Sequence, residues 1–134
     1  MAIQYSTAHR TAVVDDLVTK CGTSATIKIW TGTQPATCAT ADSGVLLVTL
    51  TGNVTQFGTT ASGLLTLSNV TSGTAGNGGA TGYFRIYPSA ATSTNAVIQG
   101  TAGTSGDLVL SSSTINSGNT VSINSGATIT AFGA

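Results

Sequence analysis

Very few side chains in this chain could do chemistry. It has one histidine, His9, four aspartates, no glutamate, two cysteines and four cationic residues. A Ser-His-Asp relay would have to use His9, and no G-x-S-x-G elbow is present; "GTSGD" at residues 103–107 reads as a tight turn before the strand-like "DLVLS". A zinc site needs several His, Cys or carboxylate groups at ligand spacing, which the chain lacks. Asp42 and Asp107 stand in turn contexts, where aspartate commonly bonds backbone, and do not suggest a glycosidase pair. The glycines at 73, 76, 78, 79 and 82 are followed by neither a lysine nor a helix, so they do not form a phosphate loop. These residues assign no catalytic, cofactor or metal role, and the expectation is a protein that is not an enzyme.

The densest chemistry lies in "TGYFRIYPSA", residues 81–90, where Arg85 stands between two of the three tyrosines. On a strand, Phe84 and Ile86 share one face and Tyr83, Arg85 and Tyr87 the other. Phe84 and Ile86 are expected in the core. Tyrosine and arginine concentrate binding energy in protein interfaces, so Tyr83, Arg85 and Tyr87 are candidate protein–protein contacts. Lys28 and Trp30 form a second aromatic-cationic pair on the outward side of "ATIKIWTG" and join them. A plain solvent face, with the guanidinium against a tyrosine, is the alternative. Burial of Arg85 with Asp42 or Asp107 is disfavoured by the alternation, which points Arg85 away from the apolar face.

The elements that carry these residues read as β. Charged residues make up 6% of the chain, too few to solvate helix surfaces, and polarity comes from Thr, Ser and Asn. Threonine suits pleated, half-buried surface. A hydrophobic fraction of 40% with regular Val/Ile/Leu alternation argues against disorder. One helix is expected at about residues 6–21: Ser6 or Thr7 caps it, Val13, Val14, Leu17, Val18 and Cys21 form one apolar stripe, Lys20 lies in the last turn and Gly22 ends it. The rest predicts about eight short strands in a β-sandwich or jelly-roll-like fold, a single domain over residues 1–134. "NTVSINSGATITAF" reads as a final hairpin turning at residues 124–126. "NVTSGTAGNGGATG" reads as a mobile or partner-ordered loop. The two "NVT" sites, at Asn53 and Asn69, read as turn or strand-edge residues.

Cys21 and Cys38 leave a disulfide open, with the reduced state expected in the absence of an export signal. "MAIQYSTAHR" has no apolar signal-peptide core, and no apolar run reaches the roughly 18–20 residues of a membrane span. The cations are scattered and the formal net charge is zero, which argues against nucleic-acid binding. So weakly charged a surface has little colloidal protection and suits an assembly.

Along nearly its whole length the chain resembles a family of small structural proteins of tailed bacteriophages. The resemblance rests on "IQYSTAHRTAVVDDLVT", "IKIWTGTQPATCATADSGVLLVTLT", "ATGYFRIYPSA", "VIQGTAGTSGDLVLSSSTINSGNTVSI" and the ending "ATITAFGA", with the FRIY and GTSGDL segments the most specific. Pro88 replaces an aspartate common there, and residues 73–82 are richer in glycine. The resemblance implies a non-enzymatic β-sandwich protein of the virion, made in the host bacterial cytoplasm and without cofactors. Its implied role is capsid decoration, or cementing, through the major capsid protein or other virion proteins, with self-association. A tail or neck component is the alternative. A carbohydrate-binding module using Trp30 with Tyr83 or Tyr87 as an aromatic platform is another.

Overall fold

The computed structural model describes residues 3–52, 58–67, 70–123 and 127–130. The order is helix α1 (Thr7–Cys21), then strands β1 (Thr26–Trp30), β2 (Leu46–Gly52), β3 (Gly58–Ala61), β4 (Leu64–Leu67), β5 (Val70–Thr71), β6 (Gly73–Thr74), β7 (Gly79–Ala80), β8 (Tyr83–Tyr87), β9 (Ile98–Gly103), β10 (Leu108–Val109), β11 (Thr114–Ile115), β12 (Thr120–Val121) and β13 (Ala127–Thr130). The fold is all-β with one N-terminal helix, as the composition predicts. Among the described residues thirteen strands stand where about eight were expected for the chain, because several two-residue ladders are too short to leave a periodic signal.

The helix begins and ends where its capping residues dictate. Ser6 Oγ accepts the His9 N–H at 3.2 Å. Gly22, at φ 65°, donates its N–H to the Val18 carbonyl, a position a side chain would disfavour. Val14 and Cys21 are buried, and Val13, Leu17 and Val18 lean on the same core. Burial of each such side chain contributes on the order of 1.5–3 kcal/mol. The helix is also pinned to the β3–β4 hairpin: Thr11 Oγ1 accepts the Gly63 N–H at 2.9 Å, and the Thr60 hydroxyl donates to the Asp15 carboxylate.

The main sheet runs β10-β9-β8-β1-β2-β5. Its register places Ile27 beside Leu50 and Ile86, and Ile29 beside Val48 and Phe84. These six make one apolar face, buried against Leu65, Leu67, Ala75, Ile115 and Ile129. The same register lines up Trp30 with Tyr83, Lys28 with Arg85, and Thr26 with Tyr87 on the opposite face, and places Gln99 beside Arg85.

Two expectations change. The Gly-rich stretch is tied down within the chain: β6 pairs with β12, and β7 with β11. Gly73 serves close approach, since a Cβ there would lie 2.3 Å from the Thr49 carbonyl oxygen. The C-terminal segment is not a hairpin, because β12 pairs with β6 while β13 pairs with β4. Each half has a distant partner that local alternation does not reveal. The expected turn at 124–126, and Asn53 and Asn69, lie outside the described residues.

Candidate functional site

The outer face of β8 is roofed by residues 31–45. The ends of this segment meet: the Thr31 N–H donates to the Val45 carbonyl at 3.0 Å, and the Val45 N–H to Thr31 Oγ1 at 2.9 Å. That closure makes it an Ω-loop. Gly44 is required at the closure, because at φ 80° a Cβ would stand 2.2 Å from the Thr31 carbonyl oxygen.

Arg85 is the centre on which this roof rests. Its side chain makes six hydrogen bonds. Nε and Nη2 both donate to Gln99 Oε1, at 3.0 and 2.9 Å. Nη1 donates to Asp42 Oδ1 at 2.7 Å and to the carbonyls of Thr40 and Ser93 at 2.9 and 3.2 Å. Nη2 also reaches the Thr37 carbonyl at 3.0 Å. Thr37, Thr40 and Asp42 belong to the Ω-loop, and Ser93 to the 88–97 loop. Gln99 extends the hub, donating from Nε2 to the Pro35 carbonyl at 2.8 Å. One planar guanidinium thus fixes two irregular segments that have little apolar side chain of their own. A lysine, with a single ammonium, lacks that fork geometry.

The two tyrosines complete the cluster. The Tyr83 hydroxyl accepts the Ser43 N–H at 3.0 Å and donates to the Ser43 carbonyl at 2.6 Å. The Tyr87 hydroxyl donates to Asp42 Oδ1. The Tyr83 ring stacks on Trp30 with centroids 6.3 Å apart and planes 6° from parallel, and Arg85 Cζ lies 5.9 Å from its centroid. Lys28 Nζ sits 5.1 Å from the Tyr87 ring centroid, a cation–π distance.

The structure therefore corrects the outward reading of the row. Tyr83, Arg85 and Tyr87 are each 0% exposed, so none of them is available to a partner in this conformation. Alternation identifies the side of the sheet correctly. It does not say whether that side meets water or a loop, and here a loop covers it. Burial of Arg85 with Asp42, the arrangement the alternation disfavours, is the one observed. Lys28 and Trp30 stay partly exposed at the rim, with the indole Nε1 of Trp30 buried and without a hydrogen-bond partner. An aromatic platform joining Trp30 to Tyr83 or Tyr87 is not presented to solvent.

Electrostatics follow from this geometry. Burial pulls the Arg85 guanidinium pKa down, but the hydrogen bonds and charges of Asp42 and Tyr87 outweigh it and the net shift is upward. Burial first, then the Asp42 carboxylate, pushes the Tyr87 hydroxyl well above the ordinary tyrosine range. Tyr87 is thus held as a neutral donor and Arg85 as a cation.

Two members of the cluster carry no strong sequence signal. Asp42 lies 43 positions before Arg85, in a stretch that reads as a turn. Gln99 could have been found, since it occupies the outward-facing position of the strand that pairs next to Arg85. The other polar groups stand apart. His9 is exposed and stacks on Tyr5 with centroids 5.3 Å apart. Asp107 Oδ2 accepts the Thr101 N–H and hydroxyl, both at 2.9 Å. Cys21 and Cys38 are free thiols, the first buried in the core and the second on the Ω-loop. Among the described residues, no three His, Cys, Asp or Glu side chains gather as a metal site would require. No helix among them is long and apolar enough to cross a membrane. Comparison with protein-family models, with curated proteins and with solved structures finds no match.

Proposed function

We propose that this protein is a non-enzymatic structural component of a tailed-bacteriophage virion, a decoration or cement protein bound to the major capsid protein on the outer shell. The sequence resemblance supplies the class. The observation that carries the binding reading is the Arg85 hub, which turns two irregular loops into a fixed plate over the main sheet.

The outside of that plate suits adhesion. Thr33, Gln34, Ala36, Ala39 and Ala41 are exposed, small or neutral, and carry no charge. A preorganised surface of short side chains loses little conformational freedom on docking, and a partner's backbone can approach it closely. The titratable groups beneath the plate are fully engaged in holding it, which favours a mechanical role over a catalytic one. In this reading Arg85 acts on the partner indirectly, by holding the two loops in place. The contact itself is made by loop residues and by the rim positions Lys28 and Trp30.

Cryo-electron microscopy of intact particles carrying this chain tests the proposal. Regular copies over the shell are the expected result. Copies confined to the tail axis would favour the tail or neck reading, and absence from purified particles would overturn both.

A further inference from the structure

We propose that Asn77 is a site of self-modification. Its side-chain amide closes onto the backbone nitrogen of Gly78 to give a cyclic imide, which water opens to aspartate and isoaspartate, and the change unfastens the strap that ties β2 to the link between β11 and β12. The proposal concerns the isolated protein and does not depend on the virion reading.

The chemistry needs an asparagine whose side-chain carbon can be reached by the next backbone nitrogen. A side chain on the next residue crowds that approach, whereas glycine, without a Cβ, leaves the backbone free to adopt it. Asn77 is the asparagine of this chain that glycine follows; the others precede Val, Ala, Ser or Thr. Asn77 and Gly78 are both exposed, so water reaches them. Among the described residues the Gly78 N–H makes no hydrogen bond, which leaves the attacking nitrogen unencumbered. The Asn77 side chain is held by a single hydrogen bond, from Nδ2 to the Leu46 carbonyl at 2.9 Å. Asn95, in contrast, is held at both ends: Oδ1 accepts the Thr92 N–H at 2.7 Å and Nδ2 donates to the Ala90 carbonyl at 2.8 Å. In the first step the Gly78 nitrogen loses its proton and bonds to Asn77 Cγ, the Cγ–Nδ2 bond breaks, and ammonia departs with a proton. Water then adds to either imide carbonyl, one opening giving aspartate and the other isoaspartate. Water is the one co-reactant, and nothing is oxidised or reduced.

The bonds around Asn77 give the reaction its consequence. The link between β6 and β7, residues 75–78, is tied to β2 on one side, by the Asn77 amide and by the Gly76 N–H, which donates to the Leu47 carbonyl at 3.0 Å. On the other side it is tied to residues 116–119, the link between β11 and β12. The Ala75 N–H donates to the Asn119 carbonyl and the Gly118 N–H to the Ala75 carbonyl, each at 2.8 Å, and Ser117 Oγ donates to the Gly76 carbonyl at 3.1 Å. An ionised carboxylate only accepts hydrogen bonds. In place of the Asn77 amide it loses the bond to the Leu46 carbonyl and repels that oxygen. Isoaspartate goes further, adding a carbon to the backbone within the strap. Both products bring a negative charge to a chain whose formal net charge is zero, so the modified form separates from the parent by charge.

Incubation of the full chain at mildly alkaline pH, followed by isoelectric focusing and peptide mass spectrometry, tests the modification. An acidic form is expected to accumulate, faster as pH rises because the attacking nitrogen must lose its proton. Aspartate and isoaspartate should both be located at position 77, ahead of every other asparagine. Asn77→Gln should stop conversion there, because its imide needs a larger ring. Asn77→Asp tests the consequence by hydrogen exchange. The Gly76 and Gly118 amides should exchange about fivefold faster than in the parent, the change that loss of one ordinary hydrogen bond gives, while the amides of β1 and β8 keep their protection. A position 77 that stays asparagine, or converts no faster than the other asparagines, would overturn the modification. Unchanged exchange at Gly76 and Gly118 in Asn77→Asp would overturn the unfastening.

Discussion

The hydroxyl of Tyr83 makes both of its hydrogen bonds to one residue, Ser43, accepting from its N–H and donating to its carbonyl. The ring is 0% exposed, while Ser43 lies on the exposed side of the Ω-loop. The pair therefore fastens a surface loop to the sheet beneath. Tyr83→Phe keeps the packing and the Trp30 stack and removes only the fastening. Because water can replace part of what Ser43 loses, the expected cost is about 1 kcal/mol. Hydrogen exchange should report a faster Ser43 amide, with the β1, β2 and β8 amides keeping their protection.

Arg85 should behave differently, since it has no access to water. Arg85→Ala leaves Asp42 and several loop carbonyls without their donor, and the expected loss is roughly 3–5 kcal/mol. Arg85→Lys should recover a minor part of it, because one ammonium cannot serve Gln99, Asp42 and the carbonyls of Thr37, Thr40 and Ser93 together. The double change Arg85→Met with Asp42→Leu removes both charges, and is expected to be less destabilising than Arg85→Ala alone. Urea unfolding of the variants decides this. An Arg85→Ala protein within about 0.5 kcal/mol of the parent would show that the hub does not hold the fold.

These two residues show where sequence reading succeeds and where it stops. The period of two in "YFRIY" correctly separates Phe84 and Ile86 from Tyr83, Arg85 and Tyr87, because side-chain direction is a local property of a strand. The helix is equally legible from Ser6 to Gly22, since caps and apolar spacing lie within one segment. What covers the far face is not legible. The roof is a threonine- and alanine-rich loop with no periodic signal, and its link to Arg85 is a contact 43 positions away. Scarcity of charge is the one sequence feature that points to it: a chain with four cations that places one within a strand core must pair it.

Alkaline pH should destabilise the protein through Cys21 and Tyr87. Burial pushes the Cys21 thiol up to about 12, and Tyr87 is raised above its usual range by burial and then by Asp42. In the unfolded chain both groups ionise near their ordinary values, about 8.5 and 10. Above those values the unfolded state has released protons that the folded state retains, so stability falls as pH rises. The window opens near pH 9 for Cys21 and about one unit higher for Tyr87, with a limiting slope of about 1.4 kcal/mol per pH unit for each group. Urea midpoints measured from pH 7 to pH 11 should be flat at first and then decline. Cys21→Ala should remove the earlier part of the decline.

The two thiols should also separate by reactivity. Cys21 is 1% exposed in the core, and Cys38 lies partly exposed on the Ω-loop. Thiolate is the reacting species, and burial withholds it. A thiol-specific reagent at neutral pH should modify one cysteine per native chain, located by mass spectrometry at Cys38, and both once denaturant is added. Rapid modification of Cys21 in the native protein would contradict its place in the core.

The Gly-rich stretch gives a paired test within a few residues. Gly82 stands where β8 begins beside Gly32, and its N–H donates to the Trp30 carbonyl at 2.9 Å. A Cβ there would lie 1.9 Å from the Gly32 carbonyl oxygen, 2.7 Å from its nitrogen and 2.8 Å from its carbonyl carbon. All three are backbone atoms, so no rotamer change relieves the clash and the strand entry itself must move. Overpacking of this kind costs about 1–3 kcal/mol and at times more. Gly76 lies in the same stretch, with open space for 4 Å around the point a Cβ would occupy and no left-handed φ. Gly76→Ala should fall within about 0.5 kcal/mol of the parent, or gain a little by restricting the unfolded chain. Were the stretch a slack loop, the two substitutions would behave alike. Thermal unfolding of both variants should instead show a clear drop for Gly82→Ala alone, because these glycines serve packing at one position and chain entropy at the other.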